Sequence, residues 1–259
     1  MDYINEALLN AVEDIARDAG AEIMAIYSRD FSIAEKEDNS PLTEADSAAH
    51  QLIVARLKKL SLSLPILSEE DVAGFAGSDD QGRYWLVDPL DGTKEFIKRN
   101  GEFTVNIALV EQGIPVLGVV YAPVPNVAYC AARGLGAVKV TEQGQRITIQ
   151  VARPPIDRAW RVVGSRSHAG AETEVWLAKL GEYELVPMGS SLKLCLVAEG
   201  VADVYPRLGL TSLWDTAAAH AVVNEAGGEV VQPSGETLSY ANTEEVLNPH
   251  FIVRAASVL

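Results

Sequence analysis

The chain has 259 residues, of which 48% are hydrophobic and 22% charged, so it can bury a substantial core near the upper size limit of one domain. Its formal net charge of −15 argues against recruiting a nucleic-acid polymer or an anionic membrane by simple surface attraction. An anionic substrate would need a local reversal of the field, which divalent cations held by clustered carboxylates provide. A generally acidic protein without such a site explains the charge equally well.

The two cysteines, Cys130 and Cys195, have no CxxC motif and no histidine at ligand spacing beside them. We expect both to be buried thiols in a reducing compartment. The first 27 residues carry regularly spaced charge, so no signal peptide is expected, and no apolar stretch approaches the ~20 residues of a membrane span. The sequence predicts a cytoplasmic protein. A peripheral association with the inner membrane face and the oligomeric state are left open.

Two helices are predicted at the start of the chain. Apolar residues recur at steps of three and four from Ile4 onward, which predicts an amphipathic helix ending at about Tyr27. Asn39-Ser40-Pro41 then interrupts the chain. Thr43 is a plausible N-cap for a second helix, whose apolar spacing continues to Leu60.

From Tyr84 the chain changes to β-branched and aromatic runs of strand length, which predict a sheet that is antiparallel in part. The predicted strands are 84–87, 103–110, 114–121, 127–132, 136–140 and 146–151, with a short hairpin loop at Glu111-Gln112-Gly113. Arg153-Pro154-Pro155 is the best linker candidate, because two prolines stop both a helix and a strand ladder. After it we predict strands near 161–163, 201–205, 229 and 251, and helices near 171–180, 190–199 and 215–226.

The most informative segment is an apolar strand that leads directly into two carboxylates, Asp88 and Asp91. We expect Pro89 to end the strand, so that both acids project from its end. Carboxylates and a free turn carbonyl, here that of Leu90, are hard ligands of the kind that Mg²⁺ prefers. Backbone N–H groups of Gly92-Thr93 suit a phosphate oxygen, and the Thr hydroxyl can orient a water. Taken alone, an ordinary Asp-Pro turn with a second Asp as a helix cap explains this segment equally well.

Two other acidic sites stand at predicted element ends. Glu69 closes the apolar run 64–67, although a solvated acidic loop is the usual role of such a segment. Asp215 follows Leu213-Trp214 at the start of an alanine-rich helix, where an N-cap is the default explanation. No one of the three sites decides between a metal centre and ordinary turns and caps.

Together, Ser-Glu-Glu, Asp-Pro-Leu-Asp-Gly-Thr and Trp-Asp, in that order, resemble the inositol-monophosphatase superfamily of Mg²⁺-dependent, Li⁺-sensitive phosphatases. The resemblance extends upstream through Thr43 to Asp46, which is similar to the Thr-x-x-Asp segment of the family. It implies an α/β (α+β) fold, a layered αβαβα sandwich of the sugar-phosphatase type. It also implies an N-terminal half at 1–155 and a C-terminal half at 156–259, with one active site between them.

Within that superfamily, the stretch 88–121 looks like the bacterial 3'(2'),5'-bisphosphate nucleotidases of sulfate assimilation, because Lys94-Glu95-Phe96 stands where inositol phosphatases typically carry Asn-Phe. Segments 164–168, 189–193 and 204–207 match as well. The resemblance implies hydrolysis of adenosine 3',5'-bisphosphate to AMP and phosphate, with 3'-phosphoadenylyl sulfate as a second candidate substrate. The alternatives are an inositol or sugar-phosphate phosphatase of the same fold and a non-catalytic metal- or nucleotide-binding sensor.

The family pattern implies two to three Mg²⁺ ions per site, with oxygen ligands from Glu69, Asp88, the Leu90 carbonyl, Asp91 and Asp215. Glu69, Asp88 and the Leu90 carbonyl would hold one ion. Asp88, Asp91 and Asp215 would hold a second, so that Asp88 bridges the two. A third, weaker ion is associated in the family with the Glu69 side and with a loop equivalent to the one containing Lys36.

The resemblance also implies catalytic and substrate-binding roles. Asp46 and Thr93 are similar to the pair that orients and deprotonates the nucleophilic water, and Glu69 belongs to the catalytic set as well as to the metal ligands. The phosphate would lie against Gly92 and Thr93. Further contacts to the nucleotide would come from His168, Ser190, Lys193 and Arg207. From spacing alone, these four are a loop histidine, a polar helix start and two surface cations.

Overall fold

The computed structural model describes residues 3–35, 41–164 and 170–256. The helices are α1 (Glu6–Tyr27), α2 (Glu44–Leu57), α3 (Thr93–Ile97), α4 (Ala171–Leu180), α5 (Leu192–Ala198) and α6 (Ala217–Glu225). The strands are β1 (Ile33–Glu35), β2 (Pro41–Thr43), β3 (Ile66–Ser68), β4 (Arg83–Asp91), β5 (Thr104–Glu111), β6 (Ile114–Ala122), β7 (Val127–Ala132), β8 (Gly136–Val140), β9 (Arg146–Thr148), β10 (Trp160–Gly164), β11 (Tyr183–Pro187), β12 (Val204–Arg207), β13 (Gly228–Val231) and β14 (Phe251–Ala255). A 3₁₀ turn at Leu213–Asp215 precedes α6.

Helices α1 and α2 form as their sequences predict. Asn5 Oδ1 accepts the Leu8 N–H at the start of α1, over 2.9 Å, and the apolar stripe of the helix is buried. Thr43 caps α2, whose last helical residue is Leu57 rather than Leu60. Because both helices present an apolar face, they pack together against one face of the larger sheet.

The larger sheet has seven strands in the order β3-β4-β5-β6-β7-β8-β9, with β3 and β4 parallel and all other neighbours antiparallel. The predicted hairpin between β5 and β6 is confirmed: Gln112 and Gly113 both adopt positive φ angles, of 51° and 78°, as a two-residue hairpin loop requires. Alternating residues of β4 face opposite sides, so Trp85 packs toward α1 and α2 and Leu86 packs toward α5 and α6.

The smaller sheet has five strands in the order β11-β10-β12-β14-β13. Strand β10 is parallel to both β11 and β12, and β14 is antiparallel to both β12 and β13. The prolines Pro154 and Pro155 lie in the irregular segment between the two sheets. The boundary between two halves at residue 155 stays a prediction.

The layers follow from the clusters of buried side chains. One cluster joins α1 and α2 to the larger sheet, a second joins α5 and α6 to the facing sides of both sheets, and a third joins α4 to the outer side of the smaller sheet. A Cβ atom on Gly118 of β6 would lie 2.1 Å from the Ala218 carbonyl oxygen, so α6 packs on the sheet at a distance that only glycine allows. The predicted αβαβα sandwich is confirmed.

Several local predictions are wrong. Pro89 does not end β4, which continues to Asp91. The predicted strand 201–205 begins later, at Val204, the strand at 146–151 ends at Thr148, and β11 was not predicted. Both cysteines are buried and free, as expected. Among the described residues, no helix combines the length and the apolar character that crossing a membrane requires.

Candidate active site

The pairing register of β4 and β5 shifts where the first two acids lie. Asp88 pairs with Asn106 and Asp91 pairs with Thr104, so two residues of β4 stand opposite one residue of β5. Such a bulge re-aims side chains. Here it contains Pro89, which lacks a ladder donor, and Leu90, whose N–H donates to Asp88 Oδ1 over 3.0 Å.

Asp88, Asp91 and Asp215 form a carboxylate cluster in which one oxygen of each lies within 4.8 Å of those of the others. Asp88 and Asp91 come from the bulged end of β4, and Asp215 comes from the 3₁₀ turn before α6. The Ser212 N–H donates to Asp215 Oδ2 over 2.8 Å, so Asp215 completes a capping box of the 3₁₀ turn, whose N-cap is Ser212. Asp215 is not the N-cap of α6, because that position is taken by Thr216. Residues that lie far apart in sequence thus meet at one point.

Glu69 lies beside this cluster, directly after the end of β3. Its backbone N–H donates to the Val87 carbonyl over 3.1 Å, which places residue 69 beside the end of β4. The Glu69 carboxyl contributes both charge and a hydrogen bond to the surroundings of Asp88. All five predicted metal ligands therefore belong to neighbouring segments at one end of β3, β4 and the 3₁₀ turn.

The protonation of the cluster shows why it fits a cation. Burial raises the pKa of Asp88 well above its ordinary value, and the charges of Glu69, Asp91 and Asp215 add to this. Burial, followed by the charge of Asp91, raises the pKa of Asp215 to about 8. Converging carboxylates that cannot all ionise without a counter-charge, with oxygen as their only donor atom, suit a hard divalent cation. The cluster can hold such a metal ion.

A second pair of predicted residues lies beside the cluster. Thr93 Oγ1 is 3.2 Å from Asp46 Oδ1 and 3.3 Å from the Leu90 carbonyl oxygen. The other oxygen of Asp46 accepts both the N–H and the hydroxyl of Thr43, over 2.8 and 2.6 Å. Asp46 thus completes the capping box of α2, whose N-cap is Thr43, and at the same time contacts Thr93.

Gly92 connects the metal cluster to α3 and must be a glycine. Its φ angle is +94°, and a Cβ atom would lie 3.1 Å from the Glu102 carbonyl oxygen. This left-handed residue lies between the end of β4 at Asp91 and the start of α3 at Thr93, and it lines the same cavity as Asp91.

The cluster opens into a cavity of about 380 Å³. Its lining includes the predicted residues Asp91, Gly92, Ser190, Lys193, Arg207 and Asp215. Burial lowers the pKa of Lys193, an effect that the charge of Asp91 opposes. Arg207 Nε is buried without a hydrogen-bond partner in the described part of the chain, while Nη2 donates to the Leu210 carbonyl over 2.7 Å. Lys193 and Arg207 therefore line the same cavity as two acids of the cluster, Asp91 and Asp215. His168 and Lys36 lie outside the described residues.

Ser191, which was not predicted as a site residue, joins the end of β4 to the 3₁₀ turn. The N–H and hydroxyl of Ser191 lie 2.5 and 2.7 Å from Asp91 Oδ2, and its Oγ lies 2.6 Å from the Asp215 carbonyl oxygen. Asn106 Nδ2 donates to the same Oγ over 2.8 Å. Ser191 belongs to the segment 189–193, for which the family resemblance implies nucleotide contacts, but only its polar character at a helix start could have indicated its contact with Asp91. Lys98, Asn100, Glu102 and Thr211 also line the cavity and were not predicted.

The layered fold and its acidic cluster define a known class of protein. The model of the inositol monophosphatase family matches residues 4–257, and the chain belongs to this family. Over 248 residues it is 52% identical to the 3'(2'),5'-bisphosphate nucleotidase CysQ of Escherichia coli (strain K12), which covers 95% of this chain and 99% of that protein. It is 38% identical over 253 residues to the CysQ protein of Haemophilus influenzae, with 96% and 93% coverage.

Solved structures show the same relationship. The crystal structure of CysQ from Bacteroides thetaiotaomicron has a TM-score of 0.83 and 46% identity, and the match covers 98% of each chain. The extragenic suppressor protein suhB from Bartonella henselae has a TM-score of 0.78 and 26% identity, with 97% of this chain and 95% of that chain covered.

Proposed function

We propose that this protein is a Mg²⁺-dependent 3'(2'),5'-bisphosphate nucleotidase that hydrolyses adenosine 3',5'-bisphosphate to AMP and phosphate. The observation that carries the proposal is the composition of the cavity wall, in which the carboxylates of Asp91 and Asp215 stand together with the cations Lys193 and Arg207. Divalent cations held by the carboxylates suit the phosphate that is cleaved, and the cationic side chains suit a second phosphate that is kept. Relatives named for this activity are 52% identical to the chain.

The proposed metal ligands are those that the family pattern implies. Glu69, Asp88 and the Leu90 carbonyl would hold one Mg²⁺, and Asp88, Asp91 and Asp215 a second. A third, weaker ion would involve the Glu69 side. Bound divalent cations in such a site lower the pKa of a water and neutralise charge on the phosphoryl and leaving oxygens.

The residues of the chain would orient the reaction and move its proton. Asp46 Oδ1 can accept the Thr93 proton along the 3.2 Å contact, and Thr93 Oγ1 in turn takes a proton from the attacking water. The water oxygen forms a bond to phosphorus as the bond from phosphorus to the ribose oxygen breaks, and the ribose oxygen leaves as a hydroxyl with a proton taken from solvent water. The N–H groups at Gly92 and Thr93 face the phosphate. No covalent phosphoenzyme is required.

The rest of the nucleotide would bind against the cationic side chains that line the cavity. Lys193 and Arg207 would neutralise the second phosphate, Ser190 would add a hydrogen bond, and His168 is proposed to contact the nucleoside. The second candidate substrate is 3'-phosphoadenylyl sulfate, which carries a sulfate on that second phosphate and has the same 3'-phosphate to be cleaved. These two substrates connect the proposed activity to sulfate assimilation in the cytoplasm.

The test is phosphate release from adenosine 3',5'-bisphosphate, inositol 1-phosphate and fructose 1,6-bisphosphate, each with Mg²⁺ and with a chelator. We expect a large Mg²⁺-dependent preference for the nucleotide and inhibition by Li⁺ at fixed Mg²⁺. A preference for a sugar phosphate would agree with the proposed metal site but would contradict the proposed role of Lys193 and Arg207 in binding a second phosphate. Binding of the nucleotide without phosphate release would instead identify a sensor.

A further inference from the structure

A buried tyrosine connects the two parts of the chain that supply the carboxylate cluster. Tyr240 lies in the segment between β13 and β14, is fully buried, and is fixed by its backbone: its N–H donates to the Gly113 carbonyl over 2.9 Å. Its carbonyl oxygen accepts the Tyr84 hydroxyl over 2.7 Å. Tyr84 belongs to β4, the strand that ends in Asp88 and Asp91. The backbone of Tyr240 is therefore attached to the larger sheet.

The side chain of the same residue reaches the segment that carries Asp215. The Tyr240 hydroxyl donates to Thr216 Oγ1 over 3.0 Å, and Thr216 directly follows Asp215. Thr216 Oγ1 in turn lies 3.2 Å from the Leu213 carbonyl oxygen inside the 3₁₀ turn. Through Thr216, the Tyr240 hydroxyl is thus hydrogen-bonded to the 3₁₀ turn that carries Asp215.

Two more buried groups complete this chain of hydrogen bonds. His220 Nδ1 lies 3.1 Å from the Tyr240 hydroxyl, and burial lowers the pKa of His220 to about 3, so the imidazole is neutral. Because the Tyr240 proton points to Thr216, the network assigns the ring proton to Nδ1, which donates to the Tyr240 oxygen. Asn248 Nδ2 donates to Thr216 Oγ1 and to the Ser212 carbonyl, over 3.1 and 2.6 Å. The turn is thus fixed from two sides.

We propose that Tyr240 is a positioning residue for the metal site: its hydroxyl sets the position of Asp215 relative to Asp88 and Asp91, and so the affinity for the cation that these three carboxylates share. The inference rests on the proposed function, in which Asp215 is a metal ligand. Asp215 is the one acid of this cluster that does not belong to β4. Its distance from the other two therefore depends on contacts between the C-terminal segment and the sheet, and Tyr240 bonds to both.

A positioning role predicts an effect that ordinary buried packing does not. Hydrogen bonds that orient metal ligands typically change metal affinity by 10–100-fold when they are removed. A buried hydroxyl elsewhere should affect only stability. Tyr129 offers the matched comparison: it is also buried, and its hydroxyl donates to Glu199 over 3.0 Å, in a network with Lys139 that contains none of the proposed metal ligands.

The experiment measures Mn²⁺ binding to the full-length protein by calorimetry, for the wild type, Tyr240→Phe and Tyr129→Phe, without substrate. We expect Asp215→Asn to abolish one Mn²⁺ binding event in the titration. Tyr240→Phe should lower the Mn²⁺ affinity of that same binding event by about 10-fold. Tyr129→Phe should leave Mn²⁺ affinity unchanged, although both Phe variants lower the Tm by about 3 °C. The Mg²⁺ concentration that gives half-maximal phosphate release should rise for Tyr240→Phe alone, while kcat at saturating Mg²⁺ changes little.

Thr216→Val provides a second variant, because it removes the same hydrogen bond from its other end, together with the bonds of Thr216 Oγ1 to the Leu213 carbonyl and to Asn248 Nδ2. If the bond from Tyr240 matters, Thr216→Val weakens Mn²⁺ binding at least as much as Tyr240→Phe, and adding Tyr240→Phe to Thr216→Val causes no further loss. Unchanged Mn²⁺ affinity in both single variants, or an equal loss in Tyr129→Phe, overturns the inference. If Asp91→Asn and Asp215→Asn bind Mn²⁺ with the same affinity as the wild type, the proposed metal site is wrong instead.

Discussion

Thr93 Oγ1 lies 3.2 Å from Asp46 Oδ1, although the two residues are 47 positions apart in sequence. Asp46 is 1% exposed, and its other oxygen is occupied by the backbone and side chain of Thr43. The carboxylate therefore cannot turn away from Thr93. A single residue serves both as a helix cap and as the fixed partner of a hydroxyl at the edge of the metal cluster.

Removing the Thr93 hydroxyl should slow the chemical step. We expect Thr93→Ala to lower kcat by about 1,000-fold, because positioned proton transfer contributes 10²–10⁴-fold. Mn²⁺ affinity should stay close to wild type, since the cluster acids remain. Thr93→Ser retains the hydroxyl and should keep most of the activity. Steady-state phosphate release provides the measurement, and similar rates for the Ala and Ser variants would contradict the proposed proton path.

Asp91→Asn should remove both metal binding and activity. It deletes the charge of one cluster acid and alters the oxygen to which Ser191 donates, so we expect metal affinity to fall by about 100-fold or more. Calorimetric titration with Mn²⁺ and phosphate release at saturating Mg²⁺ test this. Asp80→Asn changes an exposed acid and serves as the control. If phosphate release by Asp91→Asn equals that of the wild type at saturating Mg²⁺, the metal assignment is wrong.

Lys193 should distinguish substrates by their second phosphate. Charged hydrogen bonds contribute about 1.5–3 kcal/mol, so Lys193→Gln should lower kcat/KM for adenosine 3',5'-bisphosphate by about 30-fold. The same variant should change kcat/KM little for adenosine 3'-monophosphate, which lacks the 5'-phosphate. Lys179→Gln, at an exposed position of α4, is the matched control. An equal loss on both nucleotides would place Lys193 at the reacting phosphate or in the fold.

Metal binding should depend on pH through Asp215. Burial and Asp91 raise its pKa from 3.8 to about 8, so the metal-free protein holds a proton there at neutral pH. In the metal-free protein, the stability contributed by this proton is complete below pH 3.8 and is lost as the pH rises through about 8.

A cation must displace that proton, so Mn²⁺ affinity should rise with pH up to about 8 and binding should release protons. Calorimetry at pH 7 in buffers of different ionisation enthalpy measures the release. Asp215→Asn should release fewer protons than the wild type. A Mn²⁺ affinity that stays constant between pH 6 and about 8 would contradict the protonation of the cluster.

Asp203 should stabilise the smaller sheet and lose this effect in acid. Burial alone would raise its pKa, but paired bonds of 2.6 and 2.7 Å from Arg158 and further bonds from Arg161 hold the pKa well below its ordinary value of 3.8. The stabilisation is therefore present above pH 3.8 and decreases as the pH falls below it. Asp203→Asn should lower the free energy of unfolding by about 3 kcal/mol at pH 7. Urea unfolding measures this, and Asp157→Asn, at an exposed position, should be neutral.

Local patterns predicted much of the secondary structure. The helix at Glu6–Tyr27, the N-cap at Thr43 and the hairpin at Gln112-Gly113 follow from side-chain periodicity, capping and turn chemistry within a few residues. Strand β11 was not predicted, because its segment Tyr183–Pro187 is largely exposed and shows no alternation of buried residues. Pro89 did not end β4, because a bulge accommodates it without a ladder hydrogen bond.

The sequence by itself determined which chemical groups the site contains, since carboxylates at element ends and a left-handed glycine are local features. Only the tertiary structure decided how they meet. Ser191 contacts Asp91 from 100 positions away, and Tyr240 connects Tyr84 to the turn of Asp215. Sequence periodicity predicts which face of a helix or strand is buried. It does not predict which hydroxyl from a distant segment contacts that face. That choice is made by the packing of α5 and α6 between the two sheets.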